Sequence, residues 1–394
     1  MRTITDDQNK QQAASVAMIE PVGAHSGMHY YDRGLCKGLL AAGCRVDLYT
    51  CDETTDPLIP GLAFRPYYKG IYGKRNRWLR GLRYLSGTLA SLWSAILSGE
   101  TICHYHVFND LMAEFVVIVS AKLHRRKLVL TVHDVDSMAE SLPGKRRISA
   151  WLYQLADRVI VHNETSRSEL ESLGIYSERI HVIAHGHYID SAGKMPLQED
   201  SRRALKINES AKVILFFGQI KDSKGLDLLI HSIPKVAARV PNVVLLIAGR
   251  PWKTDFARYD AIIEKENVGD RCKLHIGHIP DEDVATCFGA ADVVALPYRR
   301  IYQSGVILMA MSFGRAVVVS DLPGMTDVVK DGFNGYVFKD GSADDLAKTL
   351  IRALTYEKIR HQVSDCASDY IRDHHYWDSI GRSTACVYKE LLRS

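Results

Sequence analysis

Cations and glycines recur where this chain leaves its apolar runs. In Phe216-Phe217-Gly218-Gln219-Ile220-Lys221-Asp222-Ser223-Lys224-Gly225, two lysines three residues apart sit between an apolar run and a glycine that opens a helical pattern. Two ammonium groups beside a helix start could hold a diphosphate. Taken one at a time, such lysines are ordinary solvated charges. The next apolar run ends in Gly249-Arg250-Pro251, again a glycine and a cation. The segment Pro297-Tyr298-Arg299-Arg300-Ile301-Tyr302-Gln303-Ser304-Gly305-Val306 is a basic, aromatic loop that feeds an apolar helix ending at Gly314. Ser304 is a favoured N-cap type, and an uncovered helix N-terminus beside it could bind phosphate oxygens.

Near the start of the chain, Pro21-Val22-Gly23-Ala24-His25-Ser26-Gly27-Met28 is a glycine-containing loop that opens a helix, so its N–H groups could approach a phosphate or a sugar. A tight turn without ligand is the plain alternative. Its glycines are four apart, which is not the dinucleotide fingerprint, and no acidic residue ends the following run at Tyr49-Thr50-Cys51. Both facts argue against a dehydrogenase. Asp134-Val135-Asp136 spells a tripeptide that binds metal in another transferase fold, but three residues match by chance too readily to assign a metal here. The His104/His106 and His185/His187 pairs have metal-compatible spacing without an evident carboxylate or cysteine companion. Locally hydrogen-bonded histidines are the expectation, with His25 and His187 as candidates to line the acceptor side of a cleft. The stretch of residues 74–84 holds Lys74, Arg75, Arg77, Arg80 and Arg83 with Trp78 and Tyr84, and continues into Leu85, Leu89, Leu92 and Trp93. It reads either as a face for an anionic membrane or as a solvated face over a buried Leu/Trp stripe.

Short apolar runs position these residues. They occupy 15–20, 45–50, 101–106, 127–133, 158–163 and 180–184, then 212–217, 243–248, 272–276, 292–296, 316–320 and 335–338. Continuous apolar runs suit strands covered on both faces, and the amphipathic segments 29–42, 166–173, 226–240 and 343–354 between them suit crossover helices. The polar stretch 188–210 separates the two sets and reads as a linker. The pattern predicts two doubly wound α/β domains in series, with ligand bound at the carboxyl ends of their strands. The 394-residue length accommodates two cores, and a net charge of +4 gives no indication of nucleic-acid binding. Eight scattered cysteines without a Cys-x-x-Cys pair read as reduced thiols. The polar N-terminus and the absence of a bilayer-length apolar run predict a cytoplasmic protein, soluble or at most peripheral at the inner face of the plasma membrane.

Residues 218–225, 305–319 and Asp331-Gly332-Phe333-Asn334-Gly335-Tyr336, with His133-Asp134 ending an N-domain run and Trp377 in a C-terminal helix, resemble glycosyltransferase family 4. That resemblance covers most of the chain. It implies the GT-B fold: two Rossmann-like domains facing each other across a cleft, an acceptor domain at 1–190, a donor domain at 191–370, and a helix at 371–394 packing back on the first. It implies a nucleotide-sugar donor, GDP- or UDP-linked, no separate cofactor and no metal, and transfer of a hexose, with mannose favoured. The acceptor would be a glycan or polyprenyl-linked precursor of a cell-surface polysaccharide. Lys221 or Lys224 would stabilise the leaving diphosphate, Gly218 and the backbone of Ser304–Val306 would cradle it, Gly27 would let the N-domain loop approach the donor, and His133 would face the transferred sugar. The chain departs from the family at Ile301 and Met309, where many members carry two glutamates, and at Gln219, where an arginine is frequent. Tyr302 and Gln303 are then candidates for the contacts those glutamates would make. A donor-binding protein without turnover and a sugar-nucleotide epimerase of the same shape are the competing readings.

Overall fold

The computed structural model describes residues 14–393 other than 27, 75, 109–110, 136–142, 191–194, 253–254 and 302. They fall into two compact units, residues 14–184 with 377–393, and residues 185–376. In the first unit the chain runs β1 (Ser15–Glu20), α1 (His29–Ala41), β2 (Arg45–Cys51), β3 (Leu62–Tyr68), α2 (Arg77–Leu97), β4 (Ile102–Val107), α3 (Leu111–Leu123), β5 (Lys127–Val132), α4 (Pro143–Gln154), β6 (Arg158–Val161), α5 (Glu164–Ser172) and β7 (Ile180–Val182). The second unit holds α6 (Gln198–Ala204), β8 (Lys212–Phe217), α7 (Leu226–Ala237), β9 (Val243–Gly249), α8 (Ala257–Lys265), β10 (Cys272–Ile276), α9 (Asp281–Ala290), β11 (Val293–Leu296), α10 (Gly305–Ser312), β12 (Ala316–Ser320), α11 (Pro323–Thr326), β13 (Tyr336–Phe338), α12 (Ala343–Thr355) and α13 (Glu357–His374). The last helix, α14 (Trp377–Arg393), belongs to the first unit.

Each unit is built on one parallel sheet, ordered β3-β2-β1-β4-β5-β6-β7 in the first and β10-β9-β8-β11-β12-β13 in the second. Both are Rossmann-like. The inner strands are buried on both faces, as in β1, where Val16, Ala17, Met18 and Ile19 are all inaccessible, and β11, where every residue is. That burial is why they read as unbroken apolar runs. In each sheet the strand order reverses beside the first strand of the unit, between β1 and β4 and between β8 and β11. Crossover helices leave in opposite directions at such a point, which opens a crevice at the carboxyl ends of those strands.

Two features were not anticipated. β3 carries Arg65 and Pro66 and is only half-buried. It is the sheet edge, where a missing N–H is tolerated, so its composition does not read as a strand. The polar stretch expected to be a linker contains α6, whose Arg202 is buried and donates to Asp292 at 2.8 Å. Asp292 also accepts from Arg360 at 3.2 Å and from the Val213 N–H at 2.7 Å. Residues 195–210 are therefore part of the second unit, with one carboxylate balancing two buried guanidinium groups.

Within the first unit α14 lies directly on α1. A Cβ on Gly381 would fall 2.1 Å from the Gly38 carbonyl carbon, and one on Gly34 would fall 2.0 Å from the Trp377 ring. Absent side chains let the two helices meet backbone to backbone, and Trp377 and Tyr388 fill the core beside them.

Candidate functional site

The second unit concentrates cations at its switch point. After β8 the chain turns at Gly218 (φ 105°), and Ile220 pairs with the strand beside it, donating to the Arg250 carbonyl at 2.9 Å. This bridge sets the Lys221 and Arg250 side chains on one indole: the Lys221 ammonium is 5.8 Å and the Arg250 guanidinium 5.9 Å from the centre of the Trp252 ring. Residues Asp222–Lys224 form a single 3₁₀ turn closed by Gly225, a left-handed residue (φ 65°). Lys224 leaves that turn with its ammonium 3.6 Å above the Tyr298 ring, at the exit of β11. Tyr298 is fully buried, and its hydroxyl has no hydrogen-bond partner among the described residues. Arg299 fastens the same turn, accepting nothing and donating to the Asp222 carbonyl at 3.1 Å and to Asp227 at 2.7 Å. Asp227 is held below the usual carboxylate range: burial opposes this, and the Arg299 hydrogen bond and charge outweigh it.

Ser304 is the N-cap of α10, with extended backbone (φ −124°, ψ 106°), but its side chain does not cap the helix. The hydroxyl is buried without a partner among the described residues, so it covers none of the helix's first N–H groups; the Ser304 carbonyl accepts from the Ile307 N–H at 3.1 Å. A Cβ on Gly305 would fall 2.7 Å from the Tyr188 hydroxyl, which places that phenol at the start of α10. Burial pushes the Tyr188 phenol up, so it stays a neutral donor. Tyr188 was not singled out from sequence, because it opens a stretch that reads as linker; an aromatic residue at its polar edge was the available signal. Val306 lies beside Gly218, with its Cγ2 3.6 Å from where a Gly218 Cβ would be. Gln303 is half-buried. The structure thus gathers Gly218, Lys221, Lys224, Arg250, Ser304, Gly305 and Val306 around one switch point. Ile301 and Met309, at the expected glutamate positions, pack against the core formed by Leu296, Ile307 and Leu308. Tyr302 lies outside the described residues, as do Gly27, Arg75 and Asp136.

In the first unit, His133 follows β5 and is held from all sides by rings. It stacks on Phe108 (4.9 Å, 2°), meets Tyr31 edge-on at 4.9 Å, and its Nδ1 lies 3.3 Å from His162 Nε2. His106 is 5.3 Å away, ring to ring, with its own Nδ1 3.8 Å from Asp32. The loop expected to offer N–H groups to a phosphate uses them on itself. Glu20 accepts from Val22 at 2.9 Å and Gly23 at 2.5 Å, Thr54 accepts from Ala24 at 3.1 Å, and the Val22 carbonyl accepts from His25 at 3.1 Å. The phosphate role does not hold for residues 22–25, since those donors are committed. Burial pushes the Glu20 carboxyl up, and it pushes Asp32 well up with the added charge of Glu20 beside it. His25 stacks flat on Tyr72 at 3.8 Å and pairs with Glu53 at 2.9 Å. His187 is buried in the second unit, where its Nδ1 accepts from the Ile189 N–H at 3.2 Å and its ring is 5.4 Å from Tyr376.

His104 and His106 are both buried in β4. His104 bridges Thr131 (2.7 Å) and Tyr388 of α14 (2.5 Å), and burial, with His162 nearby, lowers its pKa to about 3. Among the described residues no group of three His, Cys, Asp or Glu side chains is placed to hold a metal.

The stretch from Lys74 to Arg83 leads into α2, where Asn76 caps the helix by accepting from Trp78 N–H at 2.9 Å. Arg80 and Arg83 donate back to the Gly73 and Gly70 carbonyls at 3.4 and 3.3 Å, which leaves them beside the Lys74 and Arg77 end of the helix. Of the expected buried Leu/Trp stripe only Leu92 is buried. α2 buries its small side (Gly87, Thr88, Ser91, Leu92, Ala95), whereas Trp78 is 78% and Trp93 61% exposed, with Leu82, Leu85, Leu89 and Leu97 also outward. No helix among the described residues is long and apolar enough to cross a membrane.

Two Rossmann-like parallel sheets, with cations and a helix start at the switch point of the second, define the class: a two-domain α/β protein. The family of glycosyl transferases group 1 matches residues 198–369, and Glycosyltransferase Family 4 matches residues 25–190. An uncharacterized glycosyltransferase of Methanocaldococcus jannaschii is 30% identical over 388 residues, covering 92% of this chain and 94% of its own. The chain belongs to this glycosyltransferase family, and its fold is GT-B. A phosphatidyl-myo-inositol mannosyltransferase of Mycolicibacterium smegmatis is 29% identical over 241 residues (60% of this chain, 58% of that protein). A lipopolysaccharide 1,2-N-acetylglucosaminetransferase of Salmonella typhimurium is 27% identical over 220 residues (52% of this chain, 57% of that protein). The matches thus span little more than half the length of those two relatives. Among solved structures, Anabaena HepE in complex with UDP-glucose aligns with a TM-score of 0.77 at 18% identity, covering 96% of this chain and 100% of that one.

Proposed function

We propose that this glycosyltransferase moves a hexose, with mannose favoured, from a GDP- or UDP-linked donor to a glycan or polyprenyl-linked acceptor in cell-surface polysaccharide synthesis. The observation that carries the donor half is the set of cations at the switch point of the second sheet, Lys221 and Arg250 over the Trp252 ring and Lys224 over Tyr298 at the exit of β11. As the sugar leaves, negative charge grows on the diphosphate, and fixed cations and helix N–H groups stabilise it without reorganising. In this reading the three cations supply that charge and no bound metal is used. In this reading the hydroxyls of Ser304 and Tyr188, at the start of α10, donate to the diphosphate oxygens. The preference for mannose draws on the likeness to the mannosyltransferase. The outward Trp/Leu face of α2, edged by cations, supports a peripheral position on an anionic membrane where a polyprenyl-linked acceptor resides.

The test is a thermal-shift series with GDP, UDP, ADP and dTDP and their sugar conjugates, followed by transfer assays with the conjugate that binds. A nucleotide at ~100 times its Kd stabilises the native state by about 2.7 kcal/mol. One base is expected to raise Tm by several degrees, and its sugar conjugate to be consumed only with acceptor present. No shift with any nucleotide refutes the donor assignment. Binding without turnover supports the second reading, a donor-binding protein, which the apolar Ile301 and Met309 favour.

A further inference from the structure

The turn that carries Lys224 is too short to hold its own place. Asp222–Lys224 is a single 3₁₀ turn with two bonds of its own, from the Lys224 N–H to the Lys221 carbonyl at 2.9 Å and from the Gly225 N–H to the Asp222 carbonyl at 3.2 Å. The residues just past β11 set its position from outside. The Arg299 N–H donates to the Ser223 carbonyl at 2.9 Å, its Nη1 to the Asp222 carbonyl at 3.1 Å, and its Nη2 to Asp227 at 2.7 Å. One residue thus takes two carbonyls of the turn and the carboxylate in the first turn of α7. On the outer side Arg258 of α8 pairs with the Asp222 carboxylate, but both groups are open to solvent, so that pair adds little. Asp227 is the firmer anchor, with its side chain 18% exposed against 69% for Asp222. Tyr298, the residue before Arg299, carries the Lys224 ammonium 3.6 Å above its ring. The turn is therefore gripped by its carbonyls and by its lysine, from two consecutive residues.

We propose that Arg299, anchored by Asp227, is a positioning residue that clamps the Asp222–Lys224 turn and so fixes Lys224 over Tyr298, where it is held ready for the donor diphosphate. The diphosphate part rests on the proposed function; the clamp does not. A planar guanidinium suits the task because it donates in two directions at once, whereas an ammonium on a flexible stem is a single point charge. Both Nη groups of Arg299 already donate to protein oxygens, so the residue acts on the ligand through the turn. Fixing a cation before the ligand arrives removes the cost of ordering it on binding. The anchor separates this role from a role of charge alone. Removing the Asp227 carboxylate leaves more positive charge beside the site, which by itself would tighten diphosphate binding; loss of the clamp weakens it.

The experiment has two readouts on the full chain and on Arg299→Ala, Arg299→Lys and Asp227→Asn, with Tm recorded for each. The first needs no ligand. In protein with ¹³C-labelled lysine, the ε-methylene signals of Lys224, assigned by their loss in Lys224→Gln, are expected upfield of the other lysines because the Tyr298 ring shields them. They should return to ordinary lysine positions in all three variants. Unshifted Lys224 signals in the wild type, or shifted ones that persist in folded Arg299→Ala and Asp227→Asn, overturn the clamp. The second readout is calorimetric binding of UDP and of GDP. For the nucleotide that binds the wild type, Kd is expected to rise about tenfold in all three variants, the scale of one lost charge-assisted contact. Arg299→Lys keeps the charge and Asp227→Asn adds to it, so binding at wild-type strength or tighter in these two, with weakening confined to Arg299→Ala, shows Arg299 acting by its own charge and overturns the positioning role. A wild type that binds neither nucleotide refutes the donor reading, and the Lys224 signals then decide the clamp alone.

Discussion

Gly225 offers a direct way to displace the donor loop without touching a charged group. It closes the Asp222–Lys224 turn with φ 65° and ψ 29°, and a Cβ built there would lie 1.9 Å from the Pro297 carbonyl oxygen. Two costs follow from Gly225→Ala. A non-glycine residue in the left-handed region costs about 1–2 kcal/mol. Real Cβ atoms stay at least 3.0 Å from such neighbours, so the turn or the Pro297 strand end must also shift by 3.0 − 1.9 = 1.1 Å. Both partners are backbone, so neither can swing aside as a side chain would. The shift carries Lys224 off Tyr298 and moves the turn relative to α10. A misplacement of ~1 Å in a binding group can cost ~100-fold in rate, or about 2.7 kcal/mol in the barrier. Gly341→Ala is the control, because Gly341 has φ 72° with nothing within 4 Å of its would-be Cβ. That variant bears the backbone strain alone. The assay is initial-rate transfer from the donor base identified by thermal shift, with Tm recorded for both variants. A larger loss of Tm in Gly225→Ala than in Gly341→Ala is expected, with kcat/KM reduced ~100-fold only in Gly225→Ala. If Gly225→Ala stays within about threefold of the wild type while Gly341→Ala matches it, the turn's placement is not part of donor use and the reasoning fails.

Two further outcomes are expected. The folded protein should sediment with anionic vesicles at low salt and be released as salt screens the cations of residues 74–83. Trp78→Glu with Trp93→Glu should abolish this at unchanged Tm, since both rings are exposed; a folded wild type that ignores such vesicles removes the membrane role of α2. Stability should also fall on acidification through His104. Its folded pKa of about 3 lies below the ordinary histidine value of about 6.5, so the unfolded chain binds the extra proton between those values and stability is lost as pH falls through that window. By about pH 5 the loss should be about 2 kcal/mol in urea unfolding, and His104→Gln should flatten it. Parallel pH profiles for wild type and variant would assign the acid sensitivity to other groups.

The two-sheet organisation was legible because buried parallel strands must be apolar throughout. The runs 15–20, 212–217, 272–276 and 316–320 coincide with β1, β8, β10 and β12 to the residue. The cationic switch point was legible in outline, since Gly218, Lys221, Lys224 and Ser304 each stand at the junction of an apolar run with a loop. Other elements carried misleading local signals. β3 is an edge strand whose Pro66 and Arg65 break the apolar pattern, and α6 hides in a polar stretch because Arg202 is buried by pairing with Asp292 rather than by being apolar. For α2 the sequence specified a Leu/Trp stripe but not its direction. The stripe faces outward because the opposite, small-residue side of Gly87, Ser91 and Ala95 is what fits against the sheet.

Sequence by itself thus determined the class of fold, the alternation of strands and helices, and the residue types available for diphosphate chemistry. These depend on periodicity and local junctions, which neighbouring residues encode. Tertiary structure alone decided that Lys224 stands over Tyr298, that Tyr188 reaches the start of α10, that Glu20 and Thr54 take the N–H groups of Val22, Gly23 and Ala24, and that the His162 and His133 rings meet. Each of these couples residues distant in the chain. The physical reason is the strand order of the two sheets, which brings the ends of non-consecutive strands side by side at positions that no local pattern records.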